Sequence, residues 1–298
     1  MSSASAISLR GVVKRYGDLT AVAGLDLDVP VGTCVGLLGP NGAGKSTTMK
    51  ILTAQAIAQE GEAEILGHRL PGDSKAARAR MGVVPQQDNL DQALSVRHNL
   101  YVFAHLYRIP RHEREAAIER ALEIATLTDR ADAQVKELSG GMRRRLLIAR
   151  ALVHDPELVL MDEPTVGLDP QVRQELWALI DHLRNEGKSI LMSTHYIEEA
   201  ERLCNTVVVM AKGRAVAKGT PHELIAEHAG ESALEVYGPV ARLAEVEADA
   251  RDRGWATRRT GTSVTILNAH VNGDYPEGIR RASNLEDVFV LLTGEAIH

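Results

Sequence analysis

The residues 25–29, Leu25-Asp26-Leu27-Asp28-Val29, alternate apolar and acidic side chains, which predicts a strand of a half-exposed antiparallel layer near the start of the chain. Mainly apolar stretches then follow at 33–38, 81–84, 158–162 and 189–194, separated by stretches of helical spacing. Such runs predict parallel strands buried on both faces, and hence an α/β fold. After Asp169-Pro170, a capping residue followed by proline at the first helical position, Val172, Leu176, Leu179, Ile180 and Leu183 recur on one helical face until Gly187. Residues 206–210 and 214–218 flank Lys212-Gly213 as a hairpin. Thr220-Pro221-His222-Glu223 then opens a short helix with a capping box, which ends before Gly230.

Between Gln86 and His154 the spacing is mainly helical, with one amphipathic helix near 112–126. Beyond Gly230 the pattern changes to a strand (233–237), an acidic helix (240–253), a strand pair (256–268) and a final helix (285–293). This predicts a small mixed α/β module, in which no catalytic constellation is visible.

The apolar run 35–38 leads directly into Gly39-Pro40-Asn41-Gly42-Ala43-Gly44-Lys45-Ser46, followed by Thr47. This is the spacing of a loop that cradles phosphates, and it predicts a nucleoside triphosphate site. Glycines at 39, 42 and 44 let the backbone turn tightly and aim N–H groups at oxygens without Cβ interference. Lys45 supplies a charge for the β- and γ-phosphates, Ser46 a hydroxyl for Mg²⁺, and the following helix its positive end. A plain glycine turn would explain the glycines but not a Lys-Ser pair at this offset.

Four further motifs follow in order: Leu138-Ser139-Gly140-Gly141-Met142, Leu158-Val159-Leu160-Met161-Asp162-Glu163, Gly167-Leu168-Asp169 and Ser193-Thr194-His195. Singly, each has a structural explanation: Ser139 and Asp169 as helix caps, His195 as a polar strand end. Together and in this order they resemble the nucleotide-binding subunit of an ABC transporter, over about residues 7–229. The resemblance implies a P-loop NTPase (RecA-like) core with an antiparallel β layer and a helical subdomain at about 88–154 carrying the signature. The expected division is a nucleotide-binding domain at 1–229 and a small accessory domain at 230–298.

The resemblance also implies roles. Asp162 helps hold Mg²⁺ through water, Glu163 polarises the attacking water, and His195 contacts the γ-phosphate. Tyr16 sits where the family stacks a ring on adenine, although a surface tyrosine at a strand end is the plain alternative. A glutamine sensing the γ-phosphate and Mg²⁺ should follow strand 81–84; both Gln86 and Gln87 are present, and Val-Pro-Gln points to Gln86. Ser139 and the Gly140-Gly141 backbone would cover ATP held by a second protomer, so a homodimer completes two sites. A permease helix would lie beside the glutamine loop, where Leu94, Val96, Leu100, Tyr101, Phe103 and Tyr107 concentrate aromatics in a chain only 3% aromatic. The same side chains could instead be the subdomain's own core.

The run Asn284 to Gly294 resembles the tail of the daunorubicin-resistance type of exporter ATPases. Taken with Gly82-Val83-Val84-Pro85-Gln86-Gln87-Asp88-Asn89-Leu90-Asp91, it is similar to the subgroup that exports nodulation factors, which are lipo-chitooligosaccharides. That implies export of a lipo-oligosaccharide or a hydrophobic drug-like compound through a separate integral membrane permease. A soluble ABC ATPase of ribosomes or DNA is the rival, but no second phosphate loop and no heptad insertion is present. An importer subunit with a sensing tail is the other rival.

Composition adds limits. A chain of 298 residues can bury one large and one small domain, and 40 acidic against 34 basic residues gives no support to nucleic-acid binding. Arg143-Arg144-Arg145, the densest basic run, is expected on a solvated helix face opposite Leu146, Ala149 and Val153. Cys34 and Cys204 lie in apolar stretches and predict buried thiols rather than a disulfide. No window is long and apolar enough to span a bilayer, and residues 1–10 lack a leader pattern. The expected location is the cytoplasmic face of a bacterial inner membrane, held peripherally by the permease.

Overall fold

The structure, a computed structural model, describes residues 5–270 and 273–294; residues 1–4 of the leader reading lie outside it. Its first layer is antiparallel, in the order β2-β1-β4-β5, from β1 (Ser5–Tyr16), β2 (Leu19–Pro30), β4 (Glu60–Ile65) and β5 (His68–Leu70). Along β2 the even spacing of Leu25, Leu27 and Val29 buries these side chains, while Asp26 faces solvent, as the alternation predicts.

The second layer holds β3 (Cys34–Leu38), β6 (Met81–Val84), β7 (Leu158–Asp162), β8 (Ser189–Thr194), β9 (Thr206–Ala211) and β10 (Arg214–Gly219). Their order is β10-β9-β3-β8-β7-β6, parallel throughout except for the terminal β9–β10 hairpin. Between the two sheets lies one apolar layer, including Leu9, Leu27, Leu37, Leu160 and Val208, with Met49 and Leu52 of α1 (Lys45–Leu52). The opposite face of the parallel sheet packs on helices, through Leu38, Val159, Met161, Ile180 and Leu203. Being covered on both faces is why these strands read as continuous apolar runs.

After α2 (Ser74–Ala79), the region between β6 and β7 is helical: α3 (Val96–Leu106), α4 (Arg114–Ile124) and α5 (Gly140–Leu152) share one apolar core. Val96 and Leu100, read as interface candidates, are fully buried there, whereas Tyr101 is exposed and Phe103 and Tyr107 are half-buried. Then come α6 (Pro170–Asn185), α7 (Ile197–Leu203) and α8 (Pro221–Leu224), the last continuing as a π-type turn (Ile225–Ala229) to Gly230 at φ 67°. The capping box at Thr220 and Glu223 is formed. Cys34 and Cys204 are free and buried, their sulfurs 4.0 Å apart.

A third sheet is antiparallel, ordered β12-β13-β11-β14, from β11 (Ser232–Tyr237), β12 (Thr257–Thr260), β13 (Ser263–Ile266) and β14 (Ile279–Ala282). With α9 (Val240–Asp252) it encloses its own small core around Val236, Leu243 and Val264. Strand β14 has no apolar alternation, being Ile-Arg-Arg-Ala, and is held by main-chain pairing with β11. The last helix, α10 (Leu285–Thr293), does not join this core. Leu285, Val288 and Phe289 are fully buried in the helical core of the larger unit, against the turn 225–229 and α7. Across the junction, buried Asp287 is paired in bidentate fashion by Arg281 of β14, at 2.6 and 2.8 Å.

Candidate functional site

Strand β3 ends at Leu38, and the loop 39–44 turns back to start α1 at Lys45. Its glycines are obligatory at two points. A Cβ at Gly39 would stand 2.5 Å from the Met210 carbonyl oxygen, and one at Gly44, where φ is +103°, 2.5 Å from that of Ala21. Gly42 is also left-handed, with φ +84°. The loop borders a cleft of about 510 Å³, into which Pro40, Asn41, Gly42, Gly44, Lys45, Ser46 and Thr47 project from one side. Tyr16, at the end of β1, is half exposed on its rim with Lys14 Nζ 5.0 Å from the ring centroid. Ala43 is buried beneath the loop.

Lys45 is only 4% exposed; its Nζ donates to the carbonyls of Gly39 at 2.6 Å and Pro40 at 3.1 Å, and lies 3.6 Å from Glu163 Oε1. Burial pulls its pKa below the usual lysine value, a fall that the Glu163 carboxylate partly offsets. A charge so held at the edge of the cleft suits an anion bound there.

Glu163 follows the end of β7 in a left-handed conformation, φ 46°, which a residue with a Cβ adopts at a cost of about 1 kcal/mol. Ser193 and Arg144 hold it: its N–H donates to Ser193 Oγ at 3.0 Å and to the Ser193 carbonyl at 3.2 Å, and its carbonyl accepts from Arg144 Nη2 at 2.9 Å. The carboxylate, only 6% exposed, is thereby aimed into the cleft. Its Oε2 accepts from Gln86 Nε2 at 3.0 Å, and its Oε1 lies 3.3 Å from His195 Nδ1, too far off line for a hydrogen bond. Lys45 at the start of α1, Gln86 after β6 and His195 after β8 therefore converge on one carboxylate. Gln87 lies only in a neighbouring crevice, which it shares with Gln86, Ser46 and Asp162. Asp162 Oδ1 accepts from Ser193 Oγ at 2.5 Å and faces Ser46 Oγ at 3.4 Å.

The signature residues are elsewhere. Ser139 caps α5, its Oγ accepting from the Met142 N–H at 3.3 Å, and Asp169 caps α6, accepting from the Val172 N–H at 3.0 Å. Gly141 lets the two helices close, since a Cβ there would stand 2.4 Å from Val172 Cγ1. Ser139, Gly140 and Asp169 are exposed, and neither they nor Gly141 line the cleft.

The sequence reading missed Leu19, Thr20 and Ala21 of the cleft wall, and three charged residues besides. Lys212, read only as a hairpin turn, lines the cleft. Glu199 of α7 is fully buried, accepting from Thr194 Oγ1 at 2.6 Å, from Trp177 Nε1 at 3.2 Å and from Thr165 Oγ1. Arg144 corrects the expectation of a solvated basic face, because it is buried and turned towards the ends of β6 and β7. Gly141, Ile148 and Ala151, at helical spacing from it and all buried, were the signal available.

The family model described as ABC transporter matches residues 22–166. A Nod factor export ATP-binding protein I of Ralstonia nicotianae is 44% identical over 99% of this chain and 95% of its own length, and that of Rhizobium meliloti 44% over 98% and 89%. Among solved structures, cbiO1 from Clostridium perfringens, part of the ABC transporter complex cbiONQ, superposes with TM-score 0.69 at 28% identity over 75% of this chain and 91% of its own. The dimeric bacterial ABC transporter cassette MJ0796 gives 0.65 at 30% identity over 72% and 98%. With nearly full-length relatives at this identity and the phosphate loop, paired carboxylates and signature folded as above, the chain belongs to the ABC transporter family as an ATP-binding subunit.

Proposed function

We propose that this chain binds and hydrolyses ATP for an ABC exporter, and that its cargo is a lipo-oligosaccharide or a hydrophobic drug-like compound. The observation that carries the hydrolytic reading is the Glu163 carboxylate, turned into the cleft and ringed by Lys45, Gln86 and His195. On ATP binding, Lys45 transfers its charge from Glu163 and the loop carbonyls to the β- and γ-phosphates. Glu163 then accepts the proton of the attacking water, and His195 holds that water in line. Tyr16 stacks on the adenine, and the 39–47 loop holds the phosphates. Ser46, Gln86 and Asp162 offer a hydroxyl, an amide and a carboxylate oxygen, a hard-oxygen set that suits Mg²⁺. That ion, when bound, neutralises charge on the phosphates.

Ser139, Gly140, Gly141 and Asp169 serve the ATP of a second copy of this chain, a reading supported by the exposure of Ser139, Gly140 and Asp169 and by the absence of all four from the lining of their own cleft. The structural neighbours include a dimeric ABC cassette in a post-hydrolysis state bound to ADP and Pi. A separate permease docks at the half-buried Phe103 and Tyr107 and the exposed Tyr101 beside the glutamine loop, and holds the chain at the cytoplasmic face of the inner membrane. Among the described residues no helix is long and apolar enough to cross a membrane itself. The division into a nucleotide-binding domain at 1–229 and an accessory domain after it is supported by their separate sheets, with α10 returning to pack in the larger unit.

The test is to express Glu163→Gln in its native host, solubilise membranes in mild detergent with ATP and Mg²⁺, and identify what co-purifies. The expected companion is a small polytopic membrane protein without a solute-binding partner. Ribosomal proteins or DNA in its place would remove the transport reading.

A further inference from the structure

Arg144 spends its whole donor set on main-chain oxygens of two loops. Its Nε donates to the Pro164 carbonyl at 2.5 Å, Nη1 to those of Pro85 at 2.6 Å and Gln86 at 3.2 Å, and Nη2 to those of Asp162 at 3.1 Å and Glu163 at 2.9 Å. Burial lowers its pKa to about 10, against nearby Asp162 and Asp88, so the group remains charged at neutral pH. Burying a guanidinium is costly, and an apolar side chain of similar volume fills space at least as well. The planar fork does something an apolar side chain cannot, which is to fix several oxygens relative to one another.

Two neighbours bind the same helix to the glutamine loop. Arg143 Nε lies 3.3 Å from Asp88 Oδ2, and Arg150 Nη1 donates to the Asn89 carbonyl at 3.1 Å. Of these three arginines, Arg144 also reaches the 162–164 turn that carries Glu163. It stands little more than one helical turn from Ser139 and Gly140, at the exposed start of α5.

We infer that Arg144 is a positioning residue that couples the two ATP sites, transmitting engagement of Ser139 and Gly140 with the partner's ATP to Gln86 and Glu163, which act on the chain's own ATP. The inference rests on the composite dimer proposed above. Pulling the start of α5 towards a phosphate moves the fork, and the fork moves the carbonyls on which the two catalytic side chains hang. ATP arriving at one site thereby aligns the other, which makes hydrolysis positively cooperative.

The test uses the full-length protein and measures ATPase rate against ATP concentration, with thermal melting as a check on folding. Wild type should give a Hill coefficient approaching the limit of about 2 for two sites. Arg144→Gln should bring it to about 1, with kcat down about tenfold and half-saturating ATP changed by less than about twofold. Arg144→Lys should lie between the two, because three donors on a flexible stem cannot span five oxygens. If Arg144→Gln does not fold, the lysine variant carries the test.

A wild-type Hill coefficient of 1 overturns the inference. So does a folded variant that loses kcat with cooperativity intact, which is what a purely structural arginine would give. A mixture of Ser139→Arg and Lys45→Ala proteins separates the two levels of the argument, since it should regain one working site. No recovery removes the composite dimer itself, while recovery with unchanged cooperativity in Arg144→Gln removes only the coupling.

Discussion

Lys45 and Glu163 are 4% and 6% exposed and the Glu163 carboxylate gathers Lys45, Gln86 and His195, whereas Ser139, Gly140 and Asp169 stand in solvent with no more than capping bonds. The cleft is thus assembled within the chain, down to a left-handed backbone at Glu163, the proposed catalytic carboxylate. The other half of the proposed site is a surface of two capped helix ends, brought close together by the small Gly141. On the proposed function, the first binds ATP alone and the second needs an ATP that another copy brings. Assembly and hydrolysis are therefore separable by mutation.

The largest effect should come from the buried half. Glu163→Gln should bind ATP normally, lose hydrolysis by about 10³-fold and accumulate as a dimer, judged by size-exclusion chromatography with ATP. Normal turnover would remove Glu163 from catalysis. On the open half, Ser139→Arg should lower hydrolysis by about 10²- to 10³-fold while leaving ATP binding by the isolated chain unchanged in a fluorescent-nucleotide titration. A loss of ATP binding there would mean that the two halves are not independent surfaces.

A third difference is in pH response. His154 stacks on Tyr107 with centroids 3.5 Å apart and Nε2 3.2 Å from the Met81 carbonyl, beneath the strand that leads to Gln86. Burial lowers its pKa to about 4, so the folded chain keeps it neutral while the unfolded chain protonates it near 6.5. Its contribution to stability is complete above pH 6.5 and falls by about 3 kcal/mol as pH drops to 4. His154→Phe should flatten that slope in urea unfolding at several pH values, and an unchanged slope would assign it to other groups. Smallest, Asp169→Ala removes a cap and should cost about 1 kcal/mol of stability, with a larger proportional loss of activity if this residue faces the partner.

The same contrast governs what could be read from the sequence. The phosphate loop, both carboxylates and the caps at Ser139 and Asp169 were legible, because each is a local pattern whose chemistry lies in residue type and spacing. The buried strands were legible because a sheet covered on both faces leaves continuous apolar runs. Arg144 and Glu199 were not, since a buried charge earns its place through partners distant in the chain: Pro85 and Pro164 for the one, Thr165 and Trp177 for the other. Strand β14 was missed because it contributes main chain to the sheet and little apolar surface. The final helix was found at its true bounds, Leu285–Thr293, but its apolar stripe did not tell which core it would enter.

Helix α10 makes the third sheet a loop anchored at both ends, leaving the larger unit after Gly230 and returning at Leu285. A truncation behind residue 230, meant to ask what the accessory domain does, would also extract Phe289 from a core in which it is completely enclosed, a loss on the scale of about 3–5 kcal/mol. The removable cassette is the stretch from Glu231 to Ser283. Grafts between relatives should be cut there, with α10 left behind as part of the recipient's own interior.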